Sequence, residues 1–126
     1  MGDKCRCSGL QGLELALCLA PPRGEYETVF DLSRNTKLVV NKDGIFVRRI
    51  VTDDFLPFIN TVDRRATPQT LKAYGVRVED ILCENVKHLV NASQMGSVYA
   101  KRLLEDCYDV VRKILEDCGS LDILPA

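Results

Sequence analysis

A single histidine, His88, is all the imidazole that this chain of 126 residues carries. Its scarcity removes much of the usual site chemistry. Zinc-finger spacing needs paired CxxC cysteines or further histidines, but the cysteines stand at 5, 7, 18, 83, 107 and 118, and Cys5-Arg6-Cys7 is not a CxxC pair. There is no glycine-rich phosphate loop, GxSxG or HExxH, and no pair of carboxylates beside a base. Cys83 has His88 five residues on, yet on one helix the two project ~140° apart, a poor arrangement for a nucleophile and its base. The sequence thus points away from an enzyme, and it names no cofactor and no metal. No apolar run reaches the ~18 residues of a membrane span. Leu10 to Ala20 superficially suggests a signal peptide, but Glu14 interrupts it and no small-x-small cleavage site follows cleanly. Arg6 stands where a myristoylation motif on Gly2 wants Ser or Thr. The expected location is cytoplasmic. Charge of one sign is missing too: a net charge of −1 argues against coating duplex DNA through bulk charge.

What is present is unevenly spread. Residues 1–32 hold three Lys/Arg and five Asp/Glu, residues 33–77 hold nine and four, and residues 78–126 hold five and nine. A basic middle between acidic flanks suggests an anionic partner for the middle, although charges that merely solvate exposed faces give the same tally. Six cysteines are many for a cytosolic chain of this size. Buried free thiols, packed as small hydrophobes, are the leading reading. Intracellular disulfides and a metal site assembled from scattered cysteines are the alternatives, and composition alone does not choose among the three.

The basic middle contains the clearest local signal, Thr36 to Thr52, in which two β-branched apolar runs flank Asn41-Lys42-Asp43-Gly44. Asp-Gly between such runs predicts a hairpin, because the turn needs a residue that tolerates positive φ. With Val40 facing Ile45, alternation puts Leu38, Val40, Ile45, Val47, Arg49 and Val51 on one face, and Lys37, Val39, Phe46, Arg48 and Ile50 on the other.

Before the hairpin, leucines at 13, 15, 17 and 19 alternate with period two, which predicts a half-buried strand. Tyr26 to Leu32 reads as a second strand. After the hairpin, Asp54 caps an expected short helix from Phe55 to about Asp63, and Thr67-Pro68 opens another that Gly75 ends. Val78 to Ala92 reads as an amphipathic helix with His88 on its flank. A last long helix is expected from Ser93 to Cys118, with Ala100, Leu104, Cys107, Val111, Ile114 and Cys118 forming an apolar seam that suits a partner helix. The null for that seam is burial against the chain's own sheet.

The expected architecture is α+β: one domain over 1–126, with a four-stranded antiparallel meander in 10–52 and a helical part in 53–119. Three or four helices would pack on one sheet face, the last a long amphipathic helix. The other face would be free for solvent, a partner or a ligand. A surface of cations beside rings suits single-stranded nucleic acid, where bases stack on the rings and cations track phosphates. The order of elements, with the hairpin LVVNKDGIFVRRI, the pair Arg64-Arg65 and the seam from Ala100 to Cys118, resembles the ThermoDBP-type single-stranded DNA-binding proteins of hyperthermophilic archaea. That resemblance implies a basic, partly apolar cleft for single strands and a helical route to oligomers; the cysteines would fit such a source. The expected function is non-catalytic, sequence-tolerant binding of single-stranded DNA or RNA. Arg34, Lys37, Arg48, Arg49, Arg64 and Arg65 would contact phosphates, and Phe46 and Tyr26 would stack on bases. Leu104, Cys107, Val111, Ile114 and Cys118 would join a homo-oligomer. The alternative is a small oligomeric subunit for protein–protein interaction, without nucleic acid.

Overall fold

A computed structural model describes residues 4–22, 27–52 and 59–124. Its elements run α1 (Gly12–Cys18), β1 (Thr28–Ser33), β2 (Thr36–Asn41), β3 (Gly44–Thr52), β4 (Ile59–Arg65), α2 (Pro68–Ala73), α3 (Val78–Gln94), α4 (Val98–Asp106), α5 (Tyr108–Asp117) and a short 3₁₀ turn at Leu121–Ile123. The fold is α+β. Four antiparallel strands lie in the order β1-β2-β3-β4, and several helices follow them.

The hairpin pairs Val40 with Ile45 and Asn41 with Gly44, leaving Lys42 and Asp43 at the tip. Asn41 Oδ1 accepts the Asp43 N–H at 2.8 Å, a local bond that closes the turn. Gly44 has φ +141°, a backbone conformation that any L side chain would strain, and a Cβ there would also have to displace the Arg65 guanidinium, 2.9 Å away.

Two elements of the first half differ from the sequence reading, and each has a packing reason. The leucine run at 13–19 is a helix, α1, not a strand. Its Leu13, Ala16, Leu17 and Ala20 pack under the sheet, while Leu15, Cys18 and Leu19 pack into a second cluster among the C-terminal helices. A helix wedged between two cores is apolar on both sides, so its leucines need not keep a helical period. Asn85 Nδ2 donates to the Ala16 carbonyl at 2.7 Å and pins α1 to α3. The expected helix from Phe55 to Asp63 lies partly outside the described residues. Its remainder belongs to β4, where β-branched Ile59, Thr61 and Val62 pair with the long strand β3 along the edge that β2 leaves open. The meander thus has four strands, with its fourth after the hairpin instead of before it.

Thr67 and Thr70 bond reciprocally at the start of α2, with Pro68 in the first turn. At the start of α3 the Asp80 carboxylate accepts from the Arg77 backbone N–H at 3.3 Å and from its guanidinium at 3.3 Å. The side-chain bond from Arg77 is the main cause that holds the Asp80 carboxyl below its usual range. Stability from a depressed carboxyl is complete above its unfolded value and is lost as pH falls through the folded one. Below about pH 4, therefore, the first turn of α3 should fray. Faster amide exchange at Asp80 and Ile81 in acid would show it, and Asp80→Asn should abolish the difference.

The expected long last helix is broken twice. Met95 and Gly96 end α3, and Ser97 caps α4 by accepting from the Ala100 N–H at 3.2 Å. Cys107 then leaves helical geometry (φ −115°, ψ 27°) between α4 and α5. The proposed oligomer seam is occupied by the chain's own core: Cys107 and Val111 are buried there, and Leu104, Ile114 and Cys118 pack partly buried against the same cluster as Val86, Leu89 and Val90. Leu104→Glu with Val111→Glu should accordingly abolish the cooperative melt, since a carboxylate at Val111 would have no water and no partner. Folded monomers with an unchanged melt, by circular dichroism and sedimentation, would instead put the seam outside the core.

All six cysteines are paired, correcting the reading of free thiols: Cys5–Cys107, Cys7–Cys18 and Cys83–Cys118, with Cα–Cα distances of 4.8, 5.7 and 6.2 Å. The reason is tertiary. The N-terminal loop folds onto the junction of α4 and α5, bringing together residues 102 apart in sequence. No helix among the described residues is long and apolar enough to cross a membrane.

Candidate nucleic-acid interface

Strand register decides which of the basic residues can meet a ligand. Cross-strand rows place Phe30, Leu38, Val47 and Arg64 on one face, with Thr36, Arg49 and Val62 in the next row. The near part of this face packs on α1, α2 and α3 through Phe30, Leu38, Val40, Ile45 and Val47. The opposite face carries the rows Val29, Val39, Phe46, Arg65 and Asp31, Lys37, Arg48, Asp63.

On that opposite face the cations are already paired. Arg48 donates twice to the Asp63 carboxylate, at 2.9 and 3.1 Å, and stands 3.7 Å from Glu27. The bond to Asp63 is the first cause raising the Arg48 pKa, burial opposing it. Lys37 lies 3.5 Å from Asp31. The Arg65 guanidinium donates to the Asp43 carbonyl at 3.2 Å and covers the Phe46 ring, 5.3 Å from its centroid. Phe46 is only 9% exposed and Val39 is fully buried. As placed, Phe46 offers no free ring face for a base, and Lys37, Arg48 and Arg65 serve as internal partners. Tyr26, the other expected stacking residue, lies outside the described residues.

Arg49 and Arg64 are arranged differently. Because Val47 pairs with Arg64 and Arg49 with Val62, the two arginines are diagonal neighbours on the helix side of the sheet, where β3 and β4 run past the helices. Both are exposed, and neither has an ion pair or side-chain hydrogen bond among the described residues. They line an open groove of about 420 Å³ with Thr36, Val47, Val51, Val62 and Tyr74. Val51, Val62 and Tyr74 are 41%, 48% and 47% exposed. Arg34, on the β1–β2 turn, lines an adjoining concavity with Asn35, Thr36, Arg49, Ile50 and Val51. Two like charges with no partner among the described residues, beside apolar surface and a ring, form a site that an anion with a flat apolar part would relieve.

The structure therefore brings together Arg34, Arg49 and Arg64 from the expected set and adds Tyr74, Val51 and Val62. Tyr74 is visible in the sequence as the aromatic before Gly75, but only the packing of α2 under the hairpin carries it to the groove. For metal ligation, the sulfurs of Cys5, Cys7 and Cys107 all lie within 4.8 Å of one another. No family model, curated protein or solved structure matches this chain.

Proposed function

We propose that this protein binds single-stranded nucleic acid, DNA first, without catalysis and with little sequence preference, through the groove at the far end of the β2–β3–β4 sheet. The observation that carries the reading is that Arg49 and Arg64, which have no ion pair or side-chain hydrogen bond among the described residues, line one groove with exposed Tyr74. Arg34 would extend the phosphate track, and Tyr74 would stack on a base, contributing about 1–3 kcal/mol. In layout this follows the ThermoDBP-type analogy, with the contact surface moved to the helix side of the sheet. A cytoplasmic setting is compatible with three disulfides in a hyperthermophile, whose intracellular proteins are disulfide-rich.

The test is fluorescence anisotropy of a labelled poly-dT oligonucleotide at low and moderate salt, with a matching duplex alongside. Sub-micromolar binding to the single strand, weaker binding to the duplex and a steep fall with salt are expected. Absence of binding at low salt would overturn the reading in favour of a subunit that recognises protein.

A further inference from the structure

Three of the six sulfurs, those of Cys5, Cys7 and Cys107, cluster within 4.8 Å of one another, and a fourth, that of Cys18, is joined to the cluster through its bond to Cys7. Cys5 and Cys107 form one disulfide and Cys7 and Cys18 the other, and Cys7 Sγ lies within 4.8 Å of both Cys5 Sγ and Cys107 Sγ. The four residues come from the N-terminal loop, the last turn of α1 and the non-helical junction between α4 and α5. Two successive turns, Ser8 N–H to Cys5 carbonyl and Leu10 N–H to Cys7 carbonyl, both at 3.2 Å, fold the loop so that a Cys-x-Cys pair presents both sulfurs to one point. A tetrahedral zinc with Zn–S bonds of about 2.3 Å needs sulfurs roughly 3.8 Å apart, so the three clustered sulfurs need only side-chain adjustment, and Cys18, next to Cys7 through their disulfide, supplies the fourth.

We infer that Cys5, Cys7, Cys18 and Cys107, once reduced, form a four-thiolate zinc site, and that disulfide and metal are alternative closures of the same knot. A dithiol reductant supplies the interconversion. Two dithiol molecules give four electrons and four protons, breaking both S–S bonds and closing to disulfides themselves. Zn(II) then replaces the four thiol protons with four Zn–S bonds and keeps its oxidation state. The surroundings suit this. Cys5, Cys7 and Cys107 are 7%, 1% and 1% exposed, the closed environment of a structural site, and half-buried Cys18 leaves an entry. Four thiolates around Zn²⁺ carry a net charge of −2, and Lys4, Arg6 and Arg102 stand with one acid, Asp106, around the neighbouring concavity. Cys83–Cys118 joins α3 to the end of α5 and takes no part, so it serves as an internal control.

The experiment reduces the full-length chain without oxygen and titrates it with Co²⁺, then Zn²⁺. One equivalent of cobalt should bind with the strong visible absorption of a tetrahedral thiolate site, and one equivalent of zinc should displace it. Alkylation mapped by mass spectrometry, with and without zinc, should show zinc protecting Cys5, Cys7, Cys18 and Cys107 while leaving the labelling of Cys83 and Cys118 unchanged. Cys83→Ser with Cys118→Ser should keep the cobalt spectrum, and Cys7→Ser with Cys18→Ser should lose it. The wild-type result stands whether or not a variant folds. No cobalt uptake by the reduced wild-type protein, or zinc protection falling on a different set of cysteines, would overturn the site.

Discussion

Replacing Arg49 and Arg64 together with alanine should flatten the salt dependence of single-strand binding by about 1.4 in the slope of log K against log salt, since each phosphate contact on a single strand contributes about 0.7. Affinity at low salt should fall steeply, because the counterions displaced by two phosphate contacts are no longer released. The prediction is sharp because these arginines have no ion pair or side-chain hydrogen bond among the described residues, so their loss leaves no protein partner stranded. The thermal melt should stay where it is or rise slightly as the repulsion between neighbouring guanidiniums disappears. Arg48→Ala is the contrasting control. It takes the guanidinium away from Asp63 and Glu27, whose side chains are 20% and 15% exposed, and should cost about 1–3 kcal/mol of stability with the salt slope unchanged. If Arg48→Ala altered the slope and the Arg49/Arg64 pair did not, the strand would lie on the other face of the sheet.

The second large effect concerns the covalent frame. Cys5→Ser with Cys107→Ser opens a loop closed across 102 residues of sequence, the longest of the three. In the chain-entropy account such a closure stabilises by about 2–5 kcal/mol. For a chain of this length the oxidised double variant should melt roughly 10–20 °C lower. Removing Cys7–Cys18, which spans only 11 residues, should cost less. Calorimetry on the two variants under oxidising conditions would rank them, and equal losses would mean that packing of the N-terminal loop, not chain closure, carries the stabilisation.

Some of this was legible in the sequence because it was local. Asp43-Gly44 fixed the hairpin and hence the sorting of eleven residues onto two faces, and that sorting holds residue for residue in the observed register. Thr67-Pro68 and Gly75 marked both ends of α2 for equally local reasons. The break at Gly96-Ser97 has local signals too, a glycine at positive φ followed by a capping serine, which the expected long helix overrode; the other differences are tertiary. Leucines spaced by two look like a strand until two cores are available, one on each side of the helix. Phe55 to Asp63 reads as a helix only if the open edge of β3, with which Ile59 to Asp63 pair, is ignored. The site suffered in the same way. The sequence supplied a list of cations but not their partners, and Asp63, which decides that Arg48 is paired, sits 15 residues away on a strand the sequence did not show. Disulfide partners 102 residues apart lie beyond any local rule.

The placement of the disulfides has a mechanical consequence. Every cysteine lies in the N-terminal loop or a helical region, and none falls in β1 to β4. One half of the molecule is riveted; the other is woven, held by strand ladders and side-chain packing alone. The arginine groove sits at the far end of the woven half. Under the proposed function a single strand would enter where no covalent cross-link braces the sheet, while the helical half keeps its three covalent ties.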